Sequence, residues 1–411
     1  MADFKYQTYE EREAHFSDLG EEEKEAFLME RFNRKTNNVS ALDNLRANID
    51  SMRQGYGKIW ATGYANLDKK IEGGFMGGDL IFLGAISSLG KTSFALQMAT
   101  QIAEHGDDVL LFSLEMSSDA LNAKTISRYT HILSMGSGFE AKRRQANRLT
   151  TRDILTGKVG EFVFDEPQDE KAKLFLEAYN KTRAVTGERI RLYIGENDVD
   201  VDTVRYVAEY HYKVTHKKPF IILDYLQILR PSEDGLNRHL DKRLLTEDDC
   251  TKLKCIARDL DVPILVISAF NRNSYLDPVT TSAFREASGI EYSSDYLLGM
   301  QYCNMDYKKH WFTTENGKKK KVYESQQDHN TRVRELFDKM DTDGANGEPL
   351  PIELKVLKAR LGTKGSIYFD FLPRYNYFGD RDSEPALIGW NDDTSDAPFE
   401  HDEKYASLGT V

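Results

Sequence analysis

The sequence predicts an α/β fold in which helices flank a mainly parallel sheet. Short runs that are apolar throughout, such as Leu80–Leu83 and Phe220–Leu223, alternate with stretches of helical periodicity. Strands of this kind are typical of a sheet that is covered on both faces. In addition, a loop containing Gly-Lys-Thr stands between one of these runs and a helical stretch, which is the setting of a phosphate-binding loop.

The predicted core strands follow one another along the chain with helices between them. Helical periodicity is found at residues 91–105, 201–216 and 250–259, and Gly106 ends the first of these helices. Three later apolar runs are expected to add an antiparallel edge to the sheet. The predicted core strands are 79–84, 109–113, 220–223 and 264–268, and the later strands are 296–300, 352–357 and 366–371.

Residues 1–55 precede this pattern and are predicted to form a helical extension or linker. Leu42, Leu45 and Ile49 recur at helical spacing, and Ser40 would cap the helix that carries them. Such a narrow apolar stripe cannot form a core by itself, so we expect it to dock on another surface, such as a neighbouring subunit.

Residues 303–350 interrupt the alternation of strands and helices and are predicted to be a surface insertion. The pair Asn316-Gly317 between two strand-like runs favours a β-hairpin with a two-residue turn, and a polar helix is expected over residues 331–340. Lys318–Lys321 would either grip phosphates or belong to a solvated hairpin arm, and the sequence does not decide between these interpretations.

The composition excludes several classes of protein. The chain has 411 residues, with 55 Lys and Arg against 67 Asp and Glu, and a formal net charge of −12. Residues 379–411 carry nine acidic and two basic side chains and are predicted to form an acidic tail, so the rest can still hold a local basic surface for a nucleic acid. No apolar run approaches the ~20 residues of a membrane helix, and the three cysteines form neither a disulfide framework nor a zinc motif. We therefore expect a cytoplasmic protein with no membrane partner.

The predicted phosphate-binding loop, residues 85–92, reads Ala-Ile-Ser-Ser-Leu-Gly-Lys-Thr, with Ala85 in place of the usual first glycine. In such a loop the backbone N–H groups and the helix N-terminus point at phosphate oxygens. Lys91 would bring positive charge to the β- and γ-phosphates of ATP, and Thr92 a hydroxyl to Mg²⁺. A chance Gly-Lys-Thr in a turn is the alternative, and the flanking strand and helix argue against it. The predicted nucleotide-binding residues of the loop region are Ser87, Ser88, Leu89, Gly90, Lys91, Thr92 and Ser93.

Two carboxylates follow predicted core strands. Asp224 ends the apolar run that begins at Phe220, and a carboxylate there would bind Mg²⁺ at the C-terminal edge of the sheet, where ligands of such sheets lie. Glu115 follows the strand 109–113 and would orient and deprotonate an attacking water molecule. The alternative for Glu115 is a favourable acid near a helix N-terminus.

The order of these motifs resembles that of the C-terminal ATPase domain of DnaB-like replicative DNA helicases. The resemblance extends from about residue 56 to residue 378, and RecA-type recombinases share the phosphate-binding loop but not the whole series. The stretches that carry it are Thr62–Asp68, Gly77–Leu80, the phosphate-binding loop, Ser113–Ser117, Asp224–Gln227, Phe284–Glu291 and Lys358–Gly362.

The resemblance implies a RecA-like P-loop NTPase core that forms a homo-oligomeric ring, usually of six subunits, around single-stranded DNA. ATP would lie between neighbouring subunits, and hydrolysis would drive translocation and the unwinding of forked DNA. By this resemblance Lys91, Thr92 and Asp224 bind ATP and Mg²⁺, and Glu115 is the catalytic base. A primase or a loader is a candidate partner of such a ring.

The resemblance alone assigns roles to two further groups of residues. Lys358 and Arg360 match the pair that reaches the γ-phosphate held by the adjacent subunit, although an exposed basic strand end would look the same in the sequence. Arg285, Glu286 and Gly289 match a loop that lines the central channel and contacts the DNA backbone rather than the base edges.

Three departures from the family keep a second interpretation open. Ala269 stands where the family usually has a glutamine, only about fifty residues precede the core instead of the family's N-terminal helical domain, and the insertion at 303–350 is longer than usual. The competing hypothesis is a nucleotide-switched ring or scaffold ATPase that binds DNA without unwinding it. A third and less favoured hypothesis is a recombinase or a clock-type RecA ATPase.

Overall fold

The computed structural model describes residues 38–53, 58–164, 166–195, 199–230, 242–271, 274–284, 287–313 and 319–384, together with Gly20, Lys24 and Glu25. The chain divides into two compact units, residues 1–58 and 59–411. In the first unit, helix α1 (Asn38–Arg53) carries the predicted apolar residues Leu42, Leu45 and Ile49, and each of them is exposed. The helix begins before Ser40, so the prediction that Ser40 caps it is wrong.

The second unit is built around one large sheet with helices on both sides. Its strands are β1 (Ile59–Trp60), β2 (Phe75–Met76), β3 (Leu80–Ala85), β4 (Val109–Ser113), β5 (Phe162–Val163), β6 (Glu166–Pro167), β7 (Ile190–Ile194), β8 (Phe220–Asp224), β9 (Ile264–Ala269), β10 (Tyr296–Tyr302), β11 (Lys309–Thr313), β12 (Lys319–Tyr323), β13 (Leu350–Ala359), β14 (Gly365–Leu372) and β15 (Tyr377–Arg381). Its helices are α2 (Ala65–Lys70), α3 (Lys91–Glu104), α4 (Ser118–Leu133), α5 (Phe139–Ala146), α6 (Thr151–Leu155), α7 (Glu170–Arg189), α8 (Val201–Thr215), α9 (Lys242–Leu260), α10 (Ala287–Ser293) and α11 (Gln326–Asn346).

Nine strands form the large sheet in the order β15-β14-β13-β10-β3-β9-β8-β4-β7. The six strands from β10 to β7 run parallel, and β13, β14 and β15 continue the sheet in antiparallel pairs. The predicted fold class, an α/β sheet flanked by helices, is therefore confirmed. In the described part of the chain, no helix is long and apolar enough to span a membrane.

Strands β7 and β10 differ from the predictions. The prediction that residues 296–300 belong to an antiparallel edge is wrong, because β10 pairs in parallel with the central strand β3. The connection from β9 to β10 includes α10 and returns the chain to the same direction, and every residue of β10 is buried, as in β3, β4 and β8. Strand β7 was not predicted, because it is an edge strand and only Ile190 of it is buried.

Aromatic side chains fix the C-terminal strands against helix α3. The Tyr64 and Phe94 rings stack with centroids 4.4 Å apart, and Phe94 meets the ring of Phe378 edge-on at 5.2 Å. All three side chains are almost completely buried, and each such burial contributes about 1.5–3 kcal/mol before entropy is counted. This packing brings β15 over the helix that follows the predicted phosphate-binding loop.

The segment 303–350 combines a hairpin with a helix that enters the core. In the β11–β12 hairpin, Lys309 pairs with Tyr323 and Thr313 with Lys319. In this register an odd number of residues lies between any two paired positions, whereas a two-residue turn needs an even number, so the predicted two-residue turn does not fit. The turn itself and the side chains of Lys318–Lys321 lie outside the described part. Helix α11 extends well beyond the predicted 331–340 and buries Val333 and Met340. It is therefore more than a surface feature.

Candidate nucleotide-binding site

The predicted phosphate-binding loop connects β3 to α3 at the C-terminal edge of the parallel strands. Gly90 precedes the first residue of α3 with φ +88°, and Ser88 also has a positive φ of +66°. A Cβ atom on Gly90 would lie 2.7 Å from the Phe371 ring of β14. Glycine is thus required here both by the left-handed backbone and by the close approach of β14. The resulting turn presents a helix N-terminus to an anion.

Lys91 lies against the loop. Its Nζ atom donates hydrogen bonds to the carbonyl oxygens of Ala85 at 3.1 Å and Ile86 at 2.9 Å. Burial lowers the pKa of Lys91, and the nearby carboxylates of Asp224 and Glu115 oppose this shift. A bound polyphosphate would oppose it further, because an adjacent anion favours the charged ammonium.

Thr92 and Asp224 meet although they lie far apart in the sequence. The Thr92 Oγ1 atom donates a hydrogen bond of 2.7 Å to Asp224 Oδ2. Burial raises the pKa of Asp224 to about 6, and the hydrogen bond from Thr92 partly offsets this effect. A hydroxyl and a carboxylate oxygen are ligands that Mg²⁺ accepts, and Mg²⁺ at nucleotide sites uses one or two carboxylates plus phosphates and water. The residues present therefore fit a nucleotide-bound Mg²⁺, which would favour the ionised carboxylate.

Glu115 reaches the same edge of the sheet through strand pairing. Ser113, the last residue of β4, pairs with Asp224 on β8, and the Leu114 N–H donates to the Asp224 carbonyl oxygen at 2.9 Å. Glu115 follows in an exposed turn before Ser117, whose side chain caps α4. The structure thus brings Lys91, Thr92, Asp224 and Glu115 together.

Helix α4 and the C-terminal strands supply two further residues that sequence reasoning missed. The Lys124 Nζ atom donates to Asn376 Oδ1 at 2.8 Å and to Ser93 Oγ at 3.2 Å. The Ser93 hydroxyl in turn donates to Asn376 at 3.1 Å, so its side chain points into the protein. No local motif marks Lys124 or Asn376, since they meet Ser93 only when β15 packs on α3.

The end of β9 is bonded to the side-chain amide of Gln227, which lies in a short 3-10 helix just after β8. The Gln227 Nε2 atom donates to Ser268 Oγ at 2.9 Å, and its Oε1 accepts from the Ala269 N–H at 3.3 Å. Sequence reasoning considered the methyl group of Ala269 alone. The structure adds a glutamine side chain at that position, supplied by the segment that follows Asp224.

Lys358 and Arg360 lie at the opposite edge of the sheet from the phosphate-binding loop. Tyr296 pairs both with Ala359 on β13 and with Ile81 near the start of β3, whereas the loop follows the end of β3. The length of β3 separates the two edges by about 20 Å, which is farther than an arginine side chain reaches. Within the chain, Arg360 forms an ion pair of 2.9 Å with Asp295, and Lys358 donates to the carbonyl oxygen of Glu291.

The residues predicted to contact DNA are described only in part. Gly289 is part of α10, and a Cβ atom there would lie 2.6 Å from Cγ of Glu247 on α9. Close packing of the two helices therefore accounts for this glycine. Arg285 and Glu286 lie outside the described residues, so a DNA contact by the three residues stays a prediction.

Comparisons with known proteins identify related sequences. The model of the DnaB-like helicase C-terminal domain matches residues 60–380. The replicative DNA helicase DnaB of Helicobacter pylori is 26% identical over 334 residues, which are 78% of this chain and 59% of that protein. That of Haemophilus influenzae is 28% identical over 246 residues, 58% of this chain and 45% of that protein. The chain thus spans about half the length of these relatives.

Solved structures show the same fold. One solved ATPase domain superposes with a TM-score of 0.60 at 18% identity, covering 83% of this chain and 98% of that one. A DnaB-like replicative helicase, studied with its interactions with primase, superposes with a TM-score of 0.57 at 18% identity, covering 82% of this chain and 65% of that one. The predicted RecA-like core is therefore confirmed, and the chain belongs to the family of proteins with a DnaB-like helicase C-terminal domain.

Proposed function

We propose that this chain is the ATP-hydrolysing motor of a ring-forming, DnaB-like DNA helicase. The observation that carries the proposal is the convergence of four side chains at one edge of the sheet: two come from the phosphate-binding loop, one from the end of β8 and one from the turn after β4. Membership of the family supports the same reaction, and translocation on single-stranded DNA with unwinding of forked duplex would be its outcome in the cytoplasm.

Each of the four side chains has a role that its position supports. Lys91 neutralises charge on the β- and γ-phosphates, while loop N–H groups from Ser87 to Ser93 bind the remaining oxygens. Thr92 and Asp224 hold the Mg²⁺ that accompanies ATP and that offsets the developing charge. Glu115 orients the attacking water molecule and accepts its proton, because its carboxylate is exposed beside Asp224.

A second copy of the chain completes this site. Arg360 and Lys358 cannot reach the loop of their own subunit, but they project from the opposite edge, where a neighbouring subunit in a ring would present its loop. An arginine supplied in this way stabilises the charge of the transferred phosphoryl group. Six subunits, the number usual in the family, would close such a ring, and a primase or a loader would bind to the assembled ring.

DNA binding is assigned to the centre of the ring. Arg285 and Glu286, with Gly289 fixing the start of α10, would contact the backbone of single-stranded DNA. Contacts to phosphates make binding tolerant of sequence and weaker at high salt.

The test is strand displacement on a forked duplex with ATP and Mg²⁺. Lys91→Ala should reduce both ATP hydrolysis and displacement by about 10²–10³-fold, the cost of losing one preorganised charge. Lys173→Ala, an exposed lysine on α7 paired with nearby Glu170, serves as the matched control and should resemble the wild type. Equal activity of the Lys91 variant and the wild type would refute the proposed site.

A nucleotide-switched ring without unwinding activity is the alternative, and two features favour it. Ala269 offers no polar side chain, and Arg360 is already paired with Asp295. ATP-dependent assembly on DNA without DNA-stimulated hydrolysis would establish this alternative in place of the helicase.

A further inference from the structure

A tyrosine from a distant segment contacts the phosphate-binding loop. The Tyr275 hydroxyl lies 3.2 Å from Ser87 Oγ. Ser87 follows Ile86, whose carbonyl oxygen accepts the hydrogen bond from Lys91 Nζ. Since the lysine of such a loop reaches the β- and γ-phosphates, the tyrosine hydroxyl lies at the terminal-phosphate end of the loop rather than at its nucleoside end.

Buried groups hold the segment that carries Tyr275. His329 of α11, a fully buried residue, places its Nε2 atom 2.9 Å from the carbonyl oxygen of Leu276. Three residues further along the segment, the N–H of Val279 donates to Gln301 Oε1 of β10 at 2.7 Å. The main chain on the C-terminal side of Tyr275 is therefore anchored to both the insertion and the sheet.

His329 belongs to a buried charged cluster beside the ends of the hairpin strands, where the Lys308 N–H donates to Glu324. Glu324 contacts His329 Nδ1 at 3.0 Å and accepts from Arg332 Nε at 3.1 Å, and both Glu324 and Arg332 are nearly inaccessible to solvent. Burial alone would raise the pKa of Glu324, but the hydrogen bonds from Arg332 and its other donors hold it at about 2. The Glu324 carboxylate is thus ionised throughout the physiological range, and removing its cationic partner would leave an uncompensated buried charge, which is strongly destabilising.

We propose that Tyr275 recognises the γ-phosphate of ATP, and that the cluster of Glu324, His329 and Arg332 is a positioning device that holds it in place. The inference rests on the proposed ATP site and adds a residue to it. When ATP is bound, the hydroxyl donates to a terminal phosphate oxygen; in ADP that oxygen is missing, and the hydroxyl keeps its contact with Ser87. The segment continues to Phe284, directly before the predicted DNA-contacting Arg285, so the nucleotide state would reach the DNA loop by this route.

The first experiment measures equilibrium affinities for a non-hydrolysable ATP analogue and for ADP. Tyr275→Phe should weaken the analogue about tenfold or more, because a hydrogen bond to a charged group is lost, and should leave ADP within about twofold of the wild type. Tyr206→Phe is the matched control, since this tyrosine is 67% exposed on α8, and it should change neither affinity.

The outcomes separate this inference from the function on which it rests. A wild-type chain that binds neither nucleotide would refute the proposed ATP site itself. A wild-type chain that binds both, with a Tyr275→Phe variant that loses affinity equally for both or for neither, would refute the role of Tyr275 alone.

The second experiment tests the positioning cluster. His329→Gln should cause the same selective loss for the ATP analogue, and the double variant with Tyr275→Phe should be no weaker than Tyr275→Phe by itself, because residues acting through one contact are not additive. Thermal melting checks that each variant folds. Additive losses in the double variant would show that His329 does not act through Tyr275, and Tyr275→Phe alone still tests the tyrosine if the histidine variant does not fold.

Discussion

The two ends of the parallel strands carry charged side chains that differ in their exposure to solvent. At the C-terminal edge, Asp224 is buried and Lys91 is half-buried, and each is bonded to another part of the phosphate-binding loop region. At the N-terminal edge, the side chain of Arg360 is 61% exposed and reaches a single carboxylate, Asp295, which is itself 4% exposed. Under the proposed function, the first edge would receive the nucleotide within one chain, whereas the second presents a cation to solvent.

Under the proposed function, this difference would divide the reaction centre between subunits. A binding site must be preorganised, so its groups are fixed by packing before the nucleotide arrives. An arginine that serves another subunit must instead remain accessible at the surface. The proposal of a site shared between subunits accounts for this contrast between the two edges.

The largest expected effect comes from removing the outward-facing arginine. Arg360→Ala should lower the rate of ATP hydrolysis by about 10³-fold or more, while the affinity for ATP changes little because the phosphate-binding loop is intact. Mixing this variant with Lys91→Ala should restore part of the hydrolysis, because some interfaces then combine an intact loop with an intact arginine. Steady-state hydrolysis over a series of mixing ratios measures this. If mixing restored no hydrolysis, the proposal that Arg360 acts on the site of a neighbouring subunit would be refuted.

A smaller loss is expected at the exposed carboxylate of the C-terminal edge. Glu115→Gln should lower kcat about 10²-fold or more, because proton transfer by a positioned base contributes about 10²–10⁴-fold. The KM for ATP should change little, since Glu115 is not placed to hold the phosphates. Asp119→Asn, an acid in the first turn of α4, is the control. A change in KM without a fall in kcat would show that Glu115 is not the catalytic base.

The smallest expected effect is on the stability of the folded chain. It tests whether Asp224 at the C-terminal edge destabilises the fold when no ligand is bound. Burial holds the pKa of Asp224 at about 6 in the folded chain, above its ordinary value of 3.8. The ionised group therefore destabilises the folded state above pH 6, and this cost disappears as the pH falls toward 3.8. Asp224→Asn should raise the free energy of unfolding by about 1–3 kcal/mol at pH 7.5 without nucleotide.

Thermal or denaturant unfolding at pH 7.5 and pH 4.5 measures this effect. The advantage of the Asn variant should shrink at the lower pH, because wild-type Asp224 is then protonated in the folded state. A variant that is less stable than the wild type at both pH values would contradict the prediction that the buried, ionised Asp224 carboxylate destabilises the folded state.

Most of the C-terminal edge could be predicted from sequence, and most of what surrounds it could not. The loop around Gly90 and the strand ending in Asp224 are local patterns, so spacing and apolar runs were sufficient to find them. The direction of β10 was predicted wrongly, since an apolar run carries no information about which strand lies beside it. The contact of Tyr275 with Ser87 was not predicted, because it joins residues 188 positions apart.

The sequence by itself determined the alternation of strands and helices, the phosphate-binding loop and the carboxylates that follow two of the strands. These features depend on periodicity and on chemistry within a few residues. Only the tertiary structure decided that Arg360 lies at the far edge of the sheet, that Asn376 closes on α3 and that the insertion reaches the loop through His329. Such relations depend on strand order and register, which arise from long-range packing that no short stretch of sequence encodes.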